Sequence, residues 1–253
     1  MTAGLVRLEC EGAIAFVTLC HPGRLNAMSR AMWRQLRAAV ETGIASDPAL
    51  RCVLVRGEGG QFCAGGDISE YPGFRFDEAS LREFHENEVW AALAALRHCE
   101  LPLVAQIEGA CMGAGLEIAS CCDIRLAGEG ARFGAPIARL GFPMAPREAA
   151  LVRGAVGDVL ARDMLLAAGV HGARRLYDAG FLLQVLPDAE LAAKALAHAQ
   201  RIAALAPEAA RANKRILAAA SVETLLASAY DYADSPEHRE GIAAFLAKRP
   251  PVF

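Results

Sequence analysis

The segment LPLVAQIEGACMGAGLEIASCCDIRLAG, Leu101–Gly128, decides how the rest of the chain is read. LPLVAQIEG is a short apolar run suited to a buried strand, ACMGAGLEIASCC passes from a glycine-rich turn into a helix, and DIRLAG reads as a strand again. Strand, helix, strand is the unit from which parallel sheets are built. A strand that runs through a tight turn into a helix leaves the first N–H groups of that helix without intrahelical acceptors. Those donors, with the helix dipole behind them, suit an anion. A nucleotide phosphate is the first anion to weigh, and the spacing argues against it. Gly109, Gly113 and Gly115 run G-x-x-x-G-x-G, no G-K-[ST] occurs, and Asp123 follows Gly115 by only eight residues, too few for the acid that holds a ribose in dinucleotide sites.

A second glycine turn lies upstream in FCAGGDISEY, Phe62–Tyr71. By itself it reads equally as a plain turn or as backbone whose free N–H groups grip something negative. Further out, LVRLECEGAIAFVTLC holds two apolar runs split by Glu11-Gly12, a hairpin signal. MSRAMWRQLRAAVETGIAS places Met32, Leu36, Ala39 and Val40 at helical spacing behind Ser29 as N-cap, and RCVLVRG follows as a buried strand. In DEASLREFHENEVWAALAALRHCE an apolar stripe of Leu81, Phe84, Val89, Leu93 and Leu96 marks another helix. Past the Gly/Pro-rich stretch Phe133–Pro146 the chain reads as helical and Ala-rich, with a shift from mixed structure to helix alone near Pro187.

Composition narrows the partners. With 54% hydrophobic and 22% charged residues over 253 positions, the chain can bury a large core. A net charge of −3, with Lys194, Lys214 and Lys248 the only lysines, gives no electrostatic case for nucleic acid or an acidic membrane. No apolar run approaches the roughly 20 residues of a membrane span, and the start lacks a signal-peptide pattern. The eight cysteines contain no C-x-x-C pair and sit in apolar segments, which points to reduced buried thiols in the cytoplasm rather than zinc or disulfides.

Taken together, FCAGGDI and LPLVAQIEGACMGAGLEIASCCDIRLAGEGARFGAP closely resemble the crotonase superfamily, the enoyl-CoA hydratase/isomerase group. HPGRLNAMS is similar to the family's opening stretch and GIAAFLAKRPPVF to its tail, so the likeness runs in order over nearly the whole chain. The resemblance implies an α/β crotonase fold, with a β-β-α spiral core over residues 1–187 that carries the acyl-CoA site. It further implies a helical section, 188–253, that closes the CoA site and associates into homotrimers or dimers of trimers. No metal or redox cofactor is implied, since coenzyme A is part of the substrate. By position, the N–H groups of Gly66 and Ala114 would bond the thioester oxygen and stabilise it as an enolate. Ala64, Gly65, Asp67 and Ile68 of one turn, Gly113 of the other, and Ile137 would line the substrate, with Asp67 capping its turn. Arg24 would meet CoA phosphates, and Phe245 and Lys248 a neighbouring subunit's CoA.

Glu117 is the informative side chain. It stands about one helical turn beyond Ala114 in an otherwise apolar helix, either a solvated residue or a buried acid with a raised pKa. It matches one of two glutamates that act in the family's hydratases. The second follows FG-x-P there, and this chain reads FGAPIARLG, with Ile137 in that place. Isoleucine moves no proton, so a double-bond shift through one carboxylate is preferred over hydration. Other enolate chemistry, and a non-catalytic acyl-CoA binder, remain alternatives. In LGFPMAPREAALV, Arg147 and Glu148 read as a surface ion pair at a helix start, or as an acid replacing the missing one. His21, His85 and His98 read as surface or capping groups, and Tyr71, Tyr230 and Tyr232 as packing.

Overall fold

Residues 3–253 are described by a computed structural model, in which the apolar alternation becomes two buried faces of one sheet. β1 (Leu5–Glu11) and β2 (Ile14–Cys20) pair as an antiparallel hairpin turning at Gly12, φ +57°. α1 (Arg30–Ala38) starts where the Ser29 hydroxyl accepts the Met32 N–H at 3.2 Å. β3 (Cys52–Gly57) lies parallel to β2. α2 (Glu78–Glu83) then runs through a π-helical turn, Phe84–Val89, into α3 (Trp90–His98).

The deciding segment supplies β4 (Leu103–Ile107), β5 (Ala110–Met112), α4 (Ala114–Cys121) and β6 (Ile124–Gly128). Beyond it come β7 (Arg132–Gly134), α5 (Pro146–Val156), α6 (Asp158–Leu166), β8 (Val170–Gly172), α7 (Ala173–Asp178) and β9 (Gln184–Leu186). The chain ends in α8 (Asp188–Ala203), α9 (Pro207–Ala218) and α10 (Pro236–Leu246). The stretch after Pro146 is therefore not helix alone. β8 and β9 have three residues each, too few for an alternating pattern to register.

The main sheet runs β1-β2-β3-β4-β6-β9, parallel from β2 onward. Successive residues of a strand face opposite sides. Ala15, Val17, Val53 and Val55 thus enter the larger core, while Ile14, Phe16, Cys52 and Leu54 enter a second one under α8. Burial on both faces explains why these strands are apolar throughout. α8 closes the second core with Leu191, Ala195 and Ala199, one turn apart on one stripe; truncating Leu191 to Ala costs about 2–5 kcal/mol. The composition change at Pro187 coincides with the start of α8, and this helix packs on the sheet rather than standing off it.

A smaller sheet, β5-β7-β8, stands beside the first. β4 leads into β5 and β6 into β7, so a long strand of one sheet is followed by a short strand of the other and then by helix. Isolated bridges from Met28 to Gly66 and from Cys63 to Cys111 continue the smaller sheet. The two glycine turns meet at that edge.

Candidate active site

The Cys63–Cys111 bridge sets the register of the two turns. Cys63 N–H donates to Ala110 O at 2.8 Å and Met112 N–H to Cys63 O at 2.9 Å. Moving three residues along from each bridge partner reaches Gly66 and Ala114, and both line one cleft of about 200 Å³. On the other side, Met28 N–H donates to Gly65 O at 2.7 Å and Asp67 N–H to Met28 O at 2.8 Å. Amides of an extended chain alternate in direction, so the Gly66 N–H between them faces away from Met28. Among the described residues, neither the Gly66 nor the Ala114 N–H has a backbone acceptor. Ala114 is the first residue of α4 and has no intrahelical acceptor to find.

Glycine is required at two of these positions for different reasons. Gly113 takes φ +46°, ψ −110°, a conformation closed to residues with a Cβ. Gly115 lets α4 approach the first turn, since a Cβ there would stand 2.5 Å from Cys63 O. Asn26 braces the same turn from behind. At φ +58°, its amide donates to Glu58 O at 2.8 Å and Gln61 O at 2.7 Å, and its Oδ1 accepts His21 N–H at 2.9 Å. Asp67 caps the turn by accepting the Ser69 N–H and hydroxyl at 3.1 and 2.7 Å. Burial opposes its ionisation, but the Ser69 bonds and Arg24 outweigh that and hold the carboxyl below its ordinary value.

Glu117 projects from the first turn of α4 into the cleft and is 8% exposed. Among the described residues nothing hydrogen-bonds its carboxyl. The helix N-terminus favours the anion by up to about 2 kcal/mol, yet burial, with the negative charge of Glu148 added, pushes the pKa up to about 8. Desolvation wins.

The facing wall departs from the sequence reading. Glu148 is 2% exposed, lines the cleft and accepts from His85 Nδ1 at 3.2 Å. It makes no surface pair with Arg147, which reaches Glu86 at 2.7 Å instead. Arg147 lies in the first turn of α5 outside the cleft, while Glu148 one position on turns inward. His85 is likewise a cleft residue rather than a surface one. Its Nε2 meets Arg75 Nη1 at 3.5 Å, and since Arg75 only donates, Nε2 accepts and Nδ1–H donates to Glu148. Tyr71 and Arg75 line the same wall. His21 is buried with Nδ1 2.7 Å from Ala27 O, and His98 is exposed in the last turn of α3.

The remaining expected residues divide. Ala64, Gly65, Ile68, Gly113 and Ile137 line the cleft. Arg24 sits beside the first turn, 3.5 Å from Asp67. Phe245, 82% exposed on α10, and Lys248 just past it are not brought to the cleft of their own chain. Among the described residues no cluster of three or more His, Cys, Asp or Glu is placed to hold a metal ion. No helix is long and apolar enough to cross a membrane.

A family profile described as enoyl-CoA hydratase/isomerase matches residues 9–253. The chain belongs to that family. It is 33% identical over 248 residues to the 2,3-dehydroadipyl-CoA hydratase of Escherichia coli, covering 95% of this chain and 94% of that protein. To a probable enoyl-CoA hydratase of Mycobacterium tuberculosis it is 29% identical over 261 residues, covering 100% and 99%. It superposes on an enoyl-CoA hydratase/carnithine racemase from Magnetospirillum magneticum with TM-score 0.94 at 37% identity, covering 100% of this chain and 96% of that one. The fold is the crotonase fold, and the protein is an enoyl-CoA hydratase/isomerase family enzyme acting on acyl-CoA.

Proposed function

We propose that the enzyme shifts the double bond of an enoyl-CoA through a thioester enolate, with Glu117 moving the proton. The thioester oxygen would accept the Gly66 and Ala114 N–H groups. Ionised Glu117 would remove a proton from C2 of a 3-enoyl-CoA while the electron pair moves toward that oxygen. Returning the proton to C4 gives the conjugated 2-enoyl-CoA, with atoms and charge balanced. One observation carries the reading: a buried carboxyl without a partner, raised to about 8, in the first turn of the helix that presents Ala114. A base with a pKa near the working pH transfers protons efficiently. Ile137 in the cleft wall, where the family's hydratases hold a second glutamate, favours isomerisation over hydration.

Glu148 supports a second reading. Buried and held by His85, it could take the place of the missing acid and restore hydration. Supplying 2-enoyl-CoA and 3-enoyl-CoA separately decides between them. The isomerase reading expects interconversion without a 3-hydroxyacyl product, rapid hydration overturns it, and binding without turnover leaves a non-catalytic acyl-CoA binder. We assign residues 1–187 to the substrate site and 188–253 to assembly into homotrimers or dimers of trimers in the cytoplasm, with Arg24, Phe245 and Lys248 toward CoA. The exposed apolar residues Leu226, Tyr230, Ile242, Phe245 and Leu246 support that role for the C-terminal section.

A further inference from the structure

Two donors in the cleft have no part in the proton shift. Tyr71 Oη lies against Gly66, close enough that a Cβ on Gly66 would collide with it, and among the described residues it has no hydrogen-bond partner. The Arg75 guanidinium sits 4.5 Å from the Tyr71 ring centre and 3.7 Å from that of Phe142. Its side chain has one polar contact, the 3.5 Å approach to His85, and no carboxylate lies within ion-pair distance among the described residues. Around them the wall is apolar, with Leu140, Phe142, Pro143 and Met144.

A guanidinium carries five N–H donors in a fixed fork, and most of Arg75's are unanswered. The guanidinium is half-buried, and the partial loss of hydration among these apolar groups already pulls its pKa down. The protein's nearest anion, Glu148, stands behind His85. Glu117 is largely neutral below its pKa of about 8 and repels little. An anion carried by a ligand in the cleft would meet these donors and take the place of solvent. It is not a CoA phosphate, because the pantetheine arm separates the phosphates from the thioester, whereas Tyr71 Oη touches Gly66 at the thioester end.

We propose that Tyr71 and Arg75 form an anion-binding end of the acyl pocket, so that the preferred substrates are thioesters whose acyl group ends in a second carboxylate. The carboxylate would take two parallel N–H bonds from Arg75, stacked between Tyr71 and Phe142, and an O–H bond from Tyr71. This rests on the reading above that the cleft holds an acyl-CoA, but not on which reaction follows.

Saturated esters separate the two. Calorimetric titration at pH 7 compares glutaryl-CoA with pentanoyl-CoA and adipyl-CoA with hexanoyl-CoA, on the wild type, Arg75→Gln, Arg75→Lys and Tyr71→Phe. The wild type is expected to bind at least one dicarboxylic ester about tenfold tighter than its monocarboxylic match, the size of a charge-assisted hydrogen bond. Arg75→Gln loses that preference, Arg75→Lys keeps part of it, and Tyr71→Phe reduces it. Monocarboxylic esters bound as tightly as dicarboxylic ones by the wild type, or a preference intact in Arg75→Gln, overturns the subsite alone. No binding of any of the four esters overturns the acyl-CoA reading with it.

Discussion

One wall of the cleft is made of backbone and the other of side chains, and the two were not equally visible in the sequence. The backbone wall is two glycine turns joined by a single bridge between Cys63 and Cys111. On the proposed mechanism its working atoms are amides, so what it requires is conformational freedom and close approach, and glycine at fixed spacing announces both. The facing wall takes Tyr71 from a 3-10 turn, Arg75 from the turn just after it, His85 from a π-helical turn and Glu148 from α5. Its central contact joins residues 63 positions apart. Polar side chains that meet only in three dimensions leave no local signature. The backbone wall is therefore expected to carry rate, and the side-chain wall to govern what is bound and how it is held.

Glu117 is where that division is tested hardest. Glu117→Gln is expected to lower turnover about 10³-fold, within the span of general acid–base catalysis, with CoA-ester binding retained in titration. The same change should stabilise the fold. A carboxyl whose pKa rises from 4.5 to about 8 on folding binds a proton as the chain folds, so stability falls as pH climbs through that window and levels off above it. Denaturant unfolding at pH 8 should show the variant more stable by on the order of 1–3 kcal/mol, shrinking toward pH 4.5. A variant both active and no more stable would erase the contrast between the walls.

Gly113→Ala probes the backbone wall without touching a side chain. With φ at +46°, a Cβ forces the turn to relax and shifts the Ala114 N–H. Loss of one such donor is expected to cost about 10² in kcat, with KM changed far less. His85→Gln probes the facing wall and should do least. Turnover is expected to fall less than tenfold, while weakening the buried Glu148 contact lowers stability by about 1–3 kcal/mol. A larger rate loss than for Gly113→Ala would mean that the side-chain wall carries the chemistry and that Glu148 is the working acid.

Much of the frame was legible because its cues are local. The hairpin at Gly12, the Ser29 cap and the apolar runs of β3, β4 and β6 all follow from short windows. The side-chain wall was harder, although one cue was present. The stripe Leu81, Phe84, Val89, Leu93, Leu96 steps by three or four except for the five from Phe84 to Val89. That extra residue is the π-helical turn, and it carries His85 into the cleft. Glu148 was read either as half of a surface ion pair or as a replacement acid, and no local cue decides between the two. It is the packing of α5 against α4 that turns that carboxylate inward.

Hydrogen exchange at the α-carbon of a saturated acyl-CoA in D2O tests the central claim most directly, since it needs the enolate and nothing after it. Butanoyl-CoA incubated with the wild-type enzyme should gain deuterium at C2, followed by NMR, with exchange lost in Glu117→Gln, slowed in Gly113→Ala and nearly kept in His85→Gln. No exchange with the wild type, or exchange that persists in Glu117→Gln, contradicts the account.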